Sequence, residues 1–234
     1  MNTLVAHGRP FRSAAIRVTA MALLSAVLSP SALHSQTDGT CIPVAERADR
    51  AFGCFITARQ ELGRLAGEPP LFWHLDTYPS REAAGAAAVA RSTVVESLGQ
   101  VWLFTIGPAE WRPRGGTRVA RIGPLPLVAA DSIAAVYMEG VFRPGMNTVV
   151  HRHDGAEAWY TLEGSMCLET PDGTVTQAAG DSGVMVRAGL PMMLTGTGVT
   201  PRRSVVLILQ DATKPRSTPA SDWTPRGLCS RLKP

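Results

Sequence analysis

Residues 145–164 read Gly145-Met-Asn-Thr-Val-Val-His151-Arg-His153-Asp-Gly-Ala-Glu157-Ala-Trp-Tyr-Thr-Leu-Glu-Gly164. Thr148–His153 predicts a strand, and a strand turns every second side chain to the same face. His151 and His153 therefore point the same way. Asp154-Gly155 is a tight-turn signal, after which Glu157 opens the returning strand and can set a carboxylate beside the two rings. Two neutral imidazoles and one carboxylate on one inner face suit Fe(II), Mn, Zn, Ni or Cu. Such a set leaves coordination positions open for water, dioxygen or a chelating substrate. His151, His153 and Glu157 are thus the candidate ligands of a divalent transition metal whose identity is left open.

Outward from this stretch the pattern is one of short strands. Thr117–Ile122, Ser132–Phe142, Glu157–Leu162, Ser165–Glu169, Val184–Val186 and Ser204–Leu209 all read as strands. Between them lie Gly115-Gly116, Pro144-Gly145, Asp172-Gly173 and Gly196-Thr197-Gly198. Regular short strands with turn chemistry between them predict an antiparallel sandwich or barrel. Upstream, Gly53–Gly63 and Pro70–Tyr78 read as strands, and Ser80–Ser92 reads as a helix capped by Ser80. Thr93–Ser97 and Gln100–Ile106 flank Leu98-Gly99 as a hairpin. Residues 36–110 are expected to form a small α/β segment, and 213–234, rich in Pro, Ser and Thr, an irregular tail.

The 145–164 stretch resembles the first motif of the cupin superfamily, G-x5-H-x-H-x3-E-x6-G. Gly145, His151, His153, Glu157 and Gly164 fill every fixed position. The resemblance implies a mainly β, cupin-type antiparallel β-barrel (jelly roll) over residues 111–212 with a metal inside it. It does not cover the N-terminal segment. The second motif is partial: Gly180-Asp181, Ala188-Gly189 and Pro191 fit its framework, but Met192 and Met193 stand where the family has a histidine as fourth ligand. No histidine follows His153. A three-ligand site, a site completed by a methionine, and a barrel that binds metal weakly all remain open. Thioether sulfur favours Cu(I) over hard divalent ions. His74 could in principle supply the missing ligand, but a hydrogen-bonded histidine within or beside a strand is the simpler reading. Tyr137, Trp159, Tyr160 and Met166 are candidates to line a cavity, but plain core is the commoner place for each, and no role is assigned to them.

Residues 1–35 carry Arg9, Arg12 and Arg17, no acid, and the apolar run Val18–Leu28 followed by small residues. This is the pattern of a signal peptide, with cleavage expected near Ser35 and a periplasmic or secreted destination. Without those arginines 20 basic residues face 19 acidic ones. That near-neutral balance gives no electrostatic case for nucleic acid or an anionic membrane surface. The four cysteines, Cys41, Cys54, Cys167 and Cys229, suggest two disulfides in an exported chain. Cys41–Cys54 and Cys167–Cys229 are the preferred pairs, the second tethering the tail. There is no nucleophile elbow, phosphate-binding glycine loop or H-E-x-x-H helix. The expected partner is a small-molecule ligand or substrate; no stable membrane span is expected in the mature form, and a homodimer is left open. Two functions compete: a metal-dependent enzyme of oxygenase or isomerase type, and a non-catalytic small-ligand or metal-binding sensor module.

Overall fold

A computed structural model describes residues 41–65 and 67–232; the signal peptide expected over 1–35 lies outside them. The strands are β1 (Ile42–Pro43), β2 (Gly53–Gly63), β3 (Leu71–Tyr78), β4 (Ser92–Ser97), β5 (Gln100–Pro108), β6 (Thr117–Ile122), β7 (Ile133–Phe142) and β8 (His151–Arg152). They continue with β9 (Ala156–Glu163), β10 (Ser165–Thr170), β11 (Gly173–Ala178), β12 (Val184–Val186), β13 (Met193–Thr197), β14 (Arg202–Asp211) and β15 (Thr218–Pro219). Among the described residues one α-helix, α1 (Arg81–Ala87), is present, and it follows β3.

The fold is mainly β, with three sheets in layers. In the middle lies a six-stranded sheet in the order β1-β2-β7-β14-β9-β12. Its central strands read IAAVYMEGVF and RRSVVLILQD, with apolar residues on both faces, because both faces are covered. Odd-numbered Ile133, Ala135, Tyr137, Val205, Leu207 and Leu209 meet Trp73, Trp102 and Phe104 of the four-stranded sheet β4-β5-β3-β6. Even-numbered Val136, Met138, Val206 and Ile208 meet Met166, Leu168 and Leu194 of the three-stranded sheet β11-β10-β13. Each large apolar side chain buried in these layers contributes roughly 1.5–3 kcal/mol. The second interface, between the six- and three-stranded sheets, is the jelly-roll interior and holds the candidate site.

Several elements differ from the sequence expectation for stated reasons. Gly53–Gly63, grouped by sequence with the N-terminal segment, pairs with β7 in the middle sheet. The helix stops at Ala87, where the Ala88 N–H closes a short turn on the Gly85 carbonyl and Ala88 takes an extended backbone. Ser92 Oγ then accepts from the Val89 N–H and starts β4. Gly196-Thr197, read as turn, lies inside β13. A Cβ on Gly196 would stand 2.5 Å from the Arg143 carbonyl oxygen, so this glycine serves close backbone approach instead.

The tail is built into the structure. Thr218–Pro219 pairs with β8. Cys229 is disulfide-bonded to Cys167, and Cys41 to Cys54. The buried Glu169 carboxylate accepts backbone N–H bonds from Arg226 at 2.5 Å and Leu228 at 2.9 Å. No helix among the described residues is long and apolar enough to cross a membrane.

Candidate metal centre

The strand expected over Thr148–His153 is shorter than its sequence suggests, because its partners are short. Asn147 bridges to Thr195, His151 pairs with Met192, and only His151–Arg152 meets the tail strand β15. The chain then turns back at Asp154-Gly155 onto β14. A Cβ on Gly155 would fall 1.9 Å from the Leu209 carbonyl oxygen, so only glycine lets this turn seat there. Across β9 and β14, Glu157 stands opposite Ile208 and Trp159 opposite Val206. That register fixes the Glu157 side chain in the jelly-roll interior.

His151, His153 and Glu157 are brought together, with one donor atom of each within 4.8 Å of the others. The two imidazole rings are 4.9 Å apart and nearly perpendicular. His151 Nδ1 lies 2.8 Å from the Val149 carbonyl and His153 Nδ1 lies 2.6 Å from the Arg216 carbonyl. Only an N–H can face a carbonyl at such distances, so both rings carry their hydrogen on Nδ1 and present the Nε2 lone pair inward. Backbone carbonyls orient metal-bound histidines in this way.

His153 Nε2 and Glu157 Oε2 are 3.5 Å apart, and both are buried without a hydrogen-bond partner among the described residues. Two acceptors facing each other in an apolar interior repel; one cation between them, a proton or a metal ion, satisfies both. The donor set therefore fits a divalent transition metal on this chain's own geometry. Burial works against charge on both groups. The Glu157 carboxylate nevertheless holds the His153 pKa above the ordinary histidine value. The neighbouring His153 in turn holds Glu157 below the ordinary carboxylate value. Burial, aided by the His153 charge, lowers His151, which stays neutral and ready to ligate.

The three residues open into a pocket of about 60 Å³ that also borders Met138, Thr148, Leu194 and the Cys41–Cys54 disulfide. This is room for a few waters or a small organic group. Two arginines that the sequence reading did not single out border it, Arg202 and Arg216. Arg216 orients His153 through its carbonyl and donates from its side chain to the Cys41 carbonyl. Arg202 is buried, with its guanidinium over the Phe142 and Trp159 rings. The sequence expectation began this strand at Ser204 and so left Arg202 outside it; in β14 it falls in step with Ser204, Val206 and Ile208 on the interior face.

Met192 stands directly opposite His151, with backbone bonds of 2.8 and 3.1 Å joining them, so both side chains lie on one face. Met192 is buried in the interior cluster with Met138 and Trp159, while Met193 turns the other way. His74 is not brought to the cluster. It lies on β3, its Nε2–H donates to the Pro108 carbonyl at 2.9 Å, and it faces the Trp111 ring. Tyr137 and Tyr160 belong to the core on the far side of the middle sheet, and Trp159 and Met166 to the interior cluster.

No protein-family model matches the chain, and no curated protein matches it. Among solved structures it is similar to a cupin-like protein from Thermotoga maritima, at 14% identity and TM-score 0.34 over 37% of this chain and 64% of that one. It is similar to a cupin domain from Bordetella pertussis, at 26% identity and TM-score 0.28 over 32% and 81%. A third is a polyketide cyclase from Streptomyces resistomycificus, at 26% identity and TM-score 0.32 over 38% and 63%. The chain spans less than two thirds of the Thermotoga and Streptomyces proteins. Likenesses this partial say nothing of activity.

Proposed function

We propose that the chain is an exported, periplasmic or secreted cupin-type protein that holds one divalent transition metal through His151, His153 and Glu157. In this reading it acts on a small organic molecule in an oxygenase- or isomerase-type reaction. The observation that carries the reading is the pair of orphaned, facing acceptors, His153 Nε2 and Glu157 Oε2, beside a third inward donor. A metal bound there would supply Lewis acidity and open positions for substrate or water. The protein's own share is orientation and enclosure. The Val149 and Arg216 carbonyls hold the two rings, and Met138, Leu194, Val206 and Ile208 keep the pocket apolar. The two disulfides and the near-neutral mature charge accord with an exported protein whose partner is a small molecule.

A non-catalytic ligand or metal sensor is the second reading, and Met192 favours it. The position facing His151 offers a thioether where a fourth imidazole would strengthen the site. Elemental analysis of purified mature protein tests both. Stoichiometric iron or manganese, lost in Glu157→Gln, supports the enzyme. Protein that takes up no divalent metal when offered it, while remaining folded, contradicts the metal reading and leaves the small-ligand binder.

A further inference from the structure

Arg202 is 2% exposed, and its Nε and Nη2 have no protein acceptor among the described residues. A guanidinium cannot shed its charge as a buried carboxyl or amine can, so burying it without a partner is costly. Burial brings its pKa down only to about 10, so it remains a cation at any physiological pH. Two of its surroundings explain how it is tolerated. Its plane lies near the faces of Phe142 and Trp159, with centroids 5.6 and 5.8 Å away. Gly140, opposite Ser204, leaves room for Nη1, to which an added Cβ would come within 3.4 Å. Neither feature satisfies Nε and Nη2. The remaining buried carboxylate of the middle sheet, Glu139, points to the other face and is taken by Arg47 and Ser97. Glu157 attracts Arg202 across the pocket without contacting it.

Nε and Nη2 are closed in among their neighbours, while Nη1 lies beside Gly140, which lines the pocket, so that end of the guanidinium is the one that can donate to a carboxylate there. The same pocket is bordered by Arg216 and the two histidines, with Glu157 as its one acid among the described residues. Its charge balance therefore calls for an anion, and more so once a divalent cation is bound. We propose that Arg202 is the anchor for the carboxylate of a small organic acid, whose remaining atoms extend towards His151, His153 and Glu157. This rests on the metal-site reading for what happens at the far end, but the anchor itself does not need the metal. A short acid suits a pocket with room for a few waters.

The test uses chelator-treated full mature protein, so that no metal can take the carboxylate. Propionate binding is measured by ligand-observed NMR and by thermal shift. Propionamide serves as the uncharged isostere and sulfate as a non-planar anion. Wild type should bind propionate and not propionamide, and sulfate should compete poorly. Arg202→Met should weaken propionate binding by about 30-fold, the loss expected for charged hydrogen bonds. Arg202→Lys, which keeps charge without the planar guanidinium, should recover part of it. Arg202→Met should melt no earlier than wild type, since it removes an unpaired buried charge. Its metal content after reloading should equal wild type, so a lost anchor and a lost metal site are read separately. Absence of propionate binding, equal binding of propionamide, full competition by sulfate, or unchanged affinity in Arg202→Met would each overturn the assignment.

Discussion

Met192→His puts a fourth imidazole where the structure has a thioether, and its consequences can be worked through. Met192 and His151 are a hydrogen-bonded cross-strand pair. The Cβ atoms of such a pair lie about 5.5 Å or less apart on one face. An imidazole on residue 192 therefore reaches the space that His151 Nε2 faces. In metal-free protein the change costs stability, because Met192 is 1% exposed among Met138, Trp159 and Ile208. A polar ring buried there without a partner costs about 1–3 kcal/mol. Zinc reverses the loss: at a hundredfold excess over its dissociation constant a ligand stabilises the fold by about 2.7 kcal/mol. Even orienting groups outside the ligand set change metal affinity by about 10–100-fold, so an added ligand should tighten zinc binding by at least about tenfold. The assay is competition against a chelator, with thermal melts of the metal-free and zinc-loaded forms. Met193→His is the control, since residue 193 faces the opposite side. Equal zinc affinity in wild type and both variants, or tightening by Met193→His alone, would refute the placement of this strand against the His151, His153 and Glu157 cluster.

Three further outcomes follow from buried groups. Burial, aided by Arg118, holds His74 down to about 4. The unfolded chain takes up its proton near pH 6.5, so about 3 kcal/mol of stability, complete above that pH, is lost as pH falls towards 4. His74→Gln should flatten the denaturation midpoint across that window, and an unchanged slope would contradict the account. Glu169→Gln removes the charge that receives the Arg226 and Leu228 N–H groups, so it should cost about 1–2 kcal/mol and speed proteolysis of the tail. Gly155→Ala forces the turn off the Leu209 carbonyl, so it should weaken metal binding at least tenfold, as read by chelator competition.

The grouping of His151, His153 and Glu157 and the interior face were legible because both follow from period two. His151 and His153 share a face by spacing alone, and the turn returning to Glu157 needs only Asp154-Gly155. The preferred disulfides were legible from chain position: Cys41 and Cys54 close a short loop, and Cys229 lies in a tail that needs a tether. Long-range pairing was not. Nothing local marks Gly53–Gly63 as a neighbour of Ile133–Phe142; the two meet because the covered faces of the middle sheet need a fourth long strand. The tail read as irregular from its prolines, yet its Arg216 carbonyl orients His153 and its Thr218–Pro219 flanks His151. Arg202 was hidden by its type, since an arginine at the start of a strand normally faces water. Only the register against Phe142 turns it inward.

X-ray absorption at the metal edge of reconstituted wild-type protein addresses the central claim most directly, because multiple scattering from the rings counts imidazole ligands. The account predicts one ion per chain with two imidazole nitrogens and one carboxylate oxygen from His151, His153 and Glu157, and one imidazole fewer in His153→Ala. A spectrum with fewer than two imidazoles in wild type, or one unchanged by His153→Ala, would contradict it.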